Sequence, residues 1–308
     1  MLECVVNVSE GRDLARLDAL ARACGPSLLD VHADPDHNRS VFTLAGPGGA
    51  DAAAAARALA RSAVERLDLR AHQGVHPRLG VLDVVPFVAL GEPGAVAVEA
   101  ARGFARWLGN DVGVPVFLYG DADPGARSLP DTRRDAFARR PPDFGPPEPD
   151  ARTGATAVGA RPVLVAVNCR LDRDDLELAR RIAGQVRERD GGMPGVRALG
   201  LRLESAGAVQ VSMNVTALGA TGVEAACTAV RGLAEAAGGA VAGVELVGLV
   251  PEAEFARWSE EFRTWTGLGP DATIETRLAA SRPPGSWPTG SWPPRSPPGS
   301  RPDASGPG

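Results

Sequence analysis

The chain opens on LECVVNV, a short run rich in β-branched residues that reads as a strand. In RDLARLDALARAC, residues Leu14, Leu17, Ala21 and Cys24 recur three or four apart, the spacing that lines one face of a helix. Gly25-Pro26 stops it. SLLDVHA and RSVFTLA read as strands flanking the polar turn DPDHN, hence a hairpin. GADAAAAARALARSAVERL is a helix on propensity alone. VLDVVPFVAL is a strand whose proline points to a sheet edge. The order is β-α-β-β-α-β, followed by a helix from Ala95 to Leu108 and a strand from Val114 to Tyr119.

The second half repeats that order. RPVLVAVN is a strand and DRDDLELARRIAGQVRER a helix. VRALGLRL and AVQVSMNV make a hairpin across Glu204 to Gly207, TGVEAACTAVRGLAEAA a helix and VAGVELVGLV a strand. The pattern predicts an α+β chain of two ferredoxin-like (βαββαβ) subdomains in tandem, with a cleft between them as the ligand site. The expected boundaries are 1–161 and 162–275, with a disordered Pro/Ser/Gly-rich tail over 276–308. The connecting segment ARRPPDFGPPEPDARTGAT is rich in proline and glycine, and composition reads it as a solvated linker.

Composition narrows the chemistry. At 308 residues and 44% hydrophobic the chain can bury a sizeable core, built mostly of Val, Leu and Ala because aromatics are only 5%. A net charge of −5 argues against a nucleic-acid or anionic-membrane surface. The chain has no lysine, which excludes a Schiff-base lysine, a pyridoxal phosphate attachment and a Walker-type phosphate lysine. Cys4, Cys24, Cys169 and Cys227 form no C-x-x-C pair and suit buried thiols in a reducing compartment. MLECVVNVSEGRD has no basic n-region, and Leu233 to Val250 is broken by glycines, Glu235 and Glu245. The expectation is a cytoplasmic protein with neither signal peptide nor membrane span.

All four histidines fall in two short polar stretches, His32 and His37 in one, His72 and His76 in the other. DPDHN begins like a calcium loop with Asp34, Asp36 and Asn38, but Arg39 replaces the sixth-position glycine and Ala45 the twelfth-position glutamate. Gly74 and Pro77 oppose a helix across the H-x-x-x-H pair. GPGGAD lacks the third glycine of a dinucleotide fingerprint, and Ser9 and Ser40 lack a G-x-S-x-G context. Proton transfer remains. His76, in a glycine-flanked loop ahead of a strand, is the candidate acid and base. Asn7, Ser9 and Glu10 end the first strand near this loop, and Arg39 and Arg78 adjoin the polar turn and His76.

Several collinear motifs carry a resemblance: ECVVNVSEGR, NRSVFTL, HQGVHPRLGVLDVVPF, VPVFLYG, PDFGP with GATAVGAR, QVSMNVT and VELVGLVP. Together, from Leu2 to about Pro251, they resemble the glutamate formiminotransferase family. The resemblance implies two ferredoxin-like subdomains, a homodimer, and transfer of the formimino group from N-formimino-L-glutamate to N5 of tetrahydrofolate. Tetrahydrofolate is then a co-substrate and no metal is required. It implies that the histidine of H-P-R-x-G, here His76, is catalytic. The resemblance also makes Asn7, Ser9, Glu10, His32, Arg39 and Arg78 candidate substrate contacts, since arginine suits the carboxylates it implies. It implies folate contacts from Gly145, Pro146, Pro147, Glu148, Pro149, Asp150, Ala151, Arg152, Thr153 and Gly154, against the linker reading. The chain departs from the animal enzymes of the family at Gln73 and Val75, at Thr153, and at His32, where those enzymes carry an acidic residue. These departures leave two other readings: a related one-carbon (formyl) transferase with a different donor, or a non-catalytic folate- or metal-binding module.

Overall fold

The structure is a computed structural model that describes residues 1–46, 49–74, 77–203 and 207–280. The first unit runs β1 (Leu2–Val8), α1 (Leu14–Cys24), β2 (Leu28–Asp34), β3 (Arg39–Gly46), α2 (Gly49–Arg66), β4 (Leu82–Ala89), α3 (Gly94–Trp107), β5 (Val116–Gly120), α4 (Leu129–Asp135) and β6 (Thr156–Ala160). Its six strands are ordered β2-β3-β1-β4-β6-β5. The first four are antiparallel, and β6 and β5 add to β4 in parallel. The second unit runs β7 (Val165–Leu171), α5 (Leu176–Val186), β8 (Val196–Leu203), β9 (Ala208–Val215), α6 (Val223–Ala236) and β10 (Val241–Val247), in the order β10-β7-β9-β8. Both have the ferredoxin-like strand order, the first extended by two strands. Three short helices close the described chain, α7 (Glu252–Phe255), α8 (Glu260–Thr266) and α9 (Ile274–Ala279).

Alternation along the strands decides which face is covered. Leu2, Cys4, Val6 and Val8 of β1 join Phe42 and Leu44 of β3 in one core with Leu17, Leu20, Leu59 and Phe104 from α1, α2 and α3. The opposite face of the same strands carries Glu3, Val5, Asn7, Arg39, Val41 and Thr43, so it is polar and not covered by those helices. Caps fix the helix starts: the Asp13 carboxylate accepts the backbone N–H groups of Ala15 and Arg16, and Asp175 accepts that of Leu178. The second core repeats the logic, with Val165, Val167, Cys169, Val211 and Met213 packed on Ile182, Ala226 and Val230. The two units touch where Leu29 and Ala45 meet Leu249 and Ile274, and His32 Nε2 lies 3.9 Å from Glu245 Oε1 on β10.

Three expectations need correction. β4 is interior, between β1 and β6, despite Pro86. The β1–β4 pairing matches Cys4 with Phe87 and Asn7 with Val84 but passes over the positions between, where proline has no N–H to offer. The supposed linker is fixed to the sheet: Asp143 N–H donates to Val116 O (2.8 Å), the Asp143 carboxylate accepts Leu118 N–H (2.7 Å), and the segment ends in strand β6. The tail does not begin at 276, because α9 runs to Ala279 with Thr273 as its cap and Ile274 buried. Residues 281–308 lie outside the described residues.

Candidate functional site

Three loops converge at one end of the first sheet, and Asn38 ties them. Asn38 adopts a left-handed conformation (φ 46°) and is buried. Its Oδ1 accepts Gly11 N–H at 2.9 Å, from the loop between β1 and α1. Its Nδ2 donates to Gln73 O and its own carbonyl accepts from His72 Nε2, both at 2.9 Å, from the histidine loop. Arg78 donates to the other nitrogen of the His72 ring and, at 3.0 Å, to Gly74 O. A Cβ on Gly74 would stand 2.3 Å from His37 O, so only glycine lets the two polar stretches approach this closely. DPDHN itself forms a turn in which Asp34 Oδ1 accepts the N–H groups of Asp36 and His37. Among the described residues no group of three or more His, Cys, Asp or Glu is arranged to hold a metal ion.

The far end of the proline-rich stretch is stitched to the segment just after that loop. Gly154 pairs with Gly80, Val81 N–H donates to Thr153 O (2.9 Å) and Ala155 N–H to Leu79 O (2.9 Å). Gly154 has φ 69°, and a Cβ there would lie 2.2 Å from Leu79 O. The Asp150 carboxylate organises the bend, accepting from Arg152 N, Thr153 N and Thr153 Oγ1. These hydrogen bonds hold its pKa below the ordinary carboxylate value. Thr153 and Gly154 are buried, whereas Gly145 to Ala151 are exposed and Arg152 half-exposed. Ser9 fastens the same segment from β1, its Oγ donating to Gly80 O and its N–H to Val81 O, both 2.8 Å.

Beneath the loops, on the polar face, lies Asp83. Its side chain is fully buried. Oδ1 accepts Leu79 N–H at 2.7 Å, and Oδ2 accepts both Arg39 and, at 2.6 Å, Nη2 of Arg133 on α4. Arg39 also donates to Asn7 Oδ1. Burial pushes the Arg39 pKa down while Asp83 pulls it back up. A single ion network therefore links β1, β3, β4 and α4.

The predicted residues divide accordingly. Asn7, Arg39, Arg78 and His72 belong to the loop junction and its floor. Ser9 and Glu10 are buried and structural in their contacts, the Glu10 carboxylate accepting Arg12 N–H, Asp13 N–H and Arg16 Nη1. His32 faces the second unit beside Glu245, which also accepts from Asn168 Nδ2 at 3.2 Å. Val75 and His76 lie outside the described residues, but both flanks of that pair are anchored, Gln73 to Asn38 and Arg78 to Gly74. Sequence reasoning missed Asp83 and Arg133; the signal for the first was a lone acid inside the apolar run VLDVVPF. The four cysteines are free and buried, and burial pushes the Cys24 thiol up to about 12, which disfavours a thiolate nucleophile.

Comparison with known proteins adds the identity of this arrangement. Residues 1–161 match the family model described as the N-terminal subdomain of the formiminotransferase domain, and residues 166–263 match the formiminotransferase domain. The chain is 37% identical over 296 residues to a glutamate formimidoyltransferase of Thermoplasma acidophilum, covering 90% of this chain and 97% of that protein. It is 35% identical to a glutamate formimidoyltransferase of Streptococcus pyogenes, covering 82% and 89%. It is 39% identical to the formimidoyltransferase-cyclodeaminase of Gallus gallus, of which it spans 50%. Two family models in tandem, and identity above a third across nearly the whole chain, show that it belongs to the formiminotransferase domain family.

Proposed function

We propose that this chain is a glutamate formimidoyltransferase that passes the formimino group of N-formimino-L-glutamate to N5 of tetrahydrofolate, with His76 relaying the proton. The observation that carries the reading is the end-to-end match to a glutamate formimidoyltransferase. The stitching of the Gly154 end of the folate stretch to Leu79–Val81, a few residues beyond His76, supports it, because one relay must reach both substrates. N5 attacks the formimino carbon and a tetrahedral adduct forms. The α-nitrogen of glutamate then leaves with the bonding pair and needs a proton, while N5 must lose one. One imidazole serves both needs near neutral pH, and such relays contribute roughly 10²–10⁴-fold. Orientation of two bound substrates supplies much of the remainder. The exposed run from Gly145 to Ala151, continued by Arg152, Thr153 and Gly154, is proposed as the folate contact. We read residues 1–161 as the first subdomain and the second as running from 162 through helix α9, with the substrate cleft between them, the assembly as a homodimer, and the setting as cytoplasmic.

The test is a transfer assay with formiminoglutamate and formylglutamate as alternative donors to tetrahydrofolate. Formiminoglutamate is expected to be turned over and formylglutamate to be poor. The His76→Ala variant is expected to lose at least ~10²-fold in kcat while retaining folate affinity. Near-normal turnover by that variant would remove His76 from the mechanism.

A further inference from the structure

We propose that Arg133, braced by Asp83 beside Arg39, is a docking point for a substrate carboxylate on the polar face of the first sheet. This rests on the formimino-transfer reading above and adds a subsite to it.

The argument starts from charge. Asp83 Oδ2 accepts from two guanidinium groups, so among the described residues one positive charge in the cluster has no counter-charge. The Arg39 and Arg133 side chains are only 12% and 21% exposed, so water screens that excess poorly. Arg78 lies within electrostatic reach of both Asp83 and Arg39, which deepens the positive potential. The other acids of α4 are engaged elsewhere: Asp131 with Ser128 and Arg134, Asp135 with Arg134 and Arg139.

Hydrogen bonding points the same way. Arg39 is committed to Asp83 and Asn7. Arg133 makes one hydrogen bond among the described residues, from Nη2 to Asp83, and its Nε is buried with no partner there. That buried Nε is itself closed to a ligand, so an anion would meet the part of the Arg133 side chain that stays exposed. α4 lies over β5 and β6 on the face opposite α1 to α3, with Leu129 packed beside Val84, Tyr119 and Ala157, and the Arg133 side chain is 21% exposed there. Arg133 thus reaches over the sheet toward Asp83, below the loop that ends at Arg78. The guanidinium fork is suited to a carboxylate. Both substrates carry carboxylates, the donor on its glutamate and the folate on its glutamyl tail, and the experiment separates them.

Arg133→Gln, Arg133→Lys and, as control, Arg134→Gln are made in the full chain. Steady-state transfer is measured, and L-glutamate, tetrahydrofolate and tetrahydropteroate, which lacks the glutamyl tail, are titrated calorimetrically. A donor subsite raises KM for formiminoglutamate about 10- to 100-fold in Arg133→Gln, with kcat little changed and tetrahydrofolate affinity intact. A folate subsite instead weakens tetrahydrofolate and spares tetrahydropteroate. Arg133→Lys keeps the charge but loses the fork, so it shows a smaller loss and reports on the site should the glutamine variant unfold. Wild-type constants in both Arg133 variants, or an equal loss in Arg134→Gln, overturn the subsite and leave the transferase reading standing. A wild-type chain that neither binds tetrahydrofolate nor transfers from formiminoglutamate sinks that reading, and the subsite with it.

Discussion

Replacing Asp83 by asparagine keeps the shape of the side chain and removes its charge. The amide oxygen still accepts Leu79 N–H, now at 2.7 Å from Oδ1, but the second atom no longer compensates Arg39 and Arg133. If that atom is the amide nitrogen, it presents hydrogens to two cations. Breaking a buried ion pair by removing one partner costs about 3–5 kcal/mol. The two arginine side chains are 12% and 21% exposed, so some water reaches them and the low end, about 3 kcal/mol, applies. That is a large share of a domain's usual ~5–15 kcal/mol. At roughly 2–4 °C per kcal/mol for a domain of this size, Tm should fall by about 6–12 °C. The assay is a far-UV circular dichroism melt at neutral pH. Adding Arg133→Met to Asp83→Asn should recover part of the loss, since one uncompensated cation leaves with its partner. A Tm within about 1 °C of wild type for Asp83→Asn alone would refute the claim that this carboxylate is the hub of the floor.

Two further outcomes follow from the geometry. Gly154→Ala would force a Cβ to within 2.2 Å of Leu79 O at a φ of 69°, so it should cost about 1–3 kcal/mol or more and lower transfer activity; an unaltered melt would show that the stitch between the loops is dispensable. Burial pushes the Glu3 carboxyl up to about 7 from 4.5, against a pull from Arg161, so between those values the folded chain holds a proton that the unfolded chain has released. Stability should therefore fall by about 3 kcal/mol as pH rises across that window, and Glu3→Gln should abolish the fall; equal Tm–pH slopes in the two proteins would contradict it.

What the sequence discloses here depends on how local the cause is. The strands LECVVNV, RSVFTLA and AVQVSMNV announce themselves because β-branched residues alternate within a few positions. TAVGA does not, since alanine and glycine carry little strand preference; β6 exists because β4 and β5 both offer it a parallel ladder. Pro86 suggested an edge by a local rule, and the fold overrode it by letting the β1 pairing lapse at that point. The site divides the same way. That the histidines lie in two short stretches is visible by inspection, but their meeting through Asn38, Gln73 and His72 is not, because those contacts span 34 and 35 positions. Asp83 reaches 44 positions back to Arg39 and 50 forward to Arg133. Read locally, the first is a stray acid in an apolar strand and the last one charge among several in LPDTRRD. Only the folded sheet makes them neighbours, and only then does the count of two cations to one carboxylate acquire a consequence. The positive excess at this site is thus a property of topology, which is why it can be tested by moving one charge on α4 and leaving the adjacent one in place.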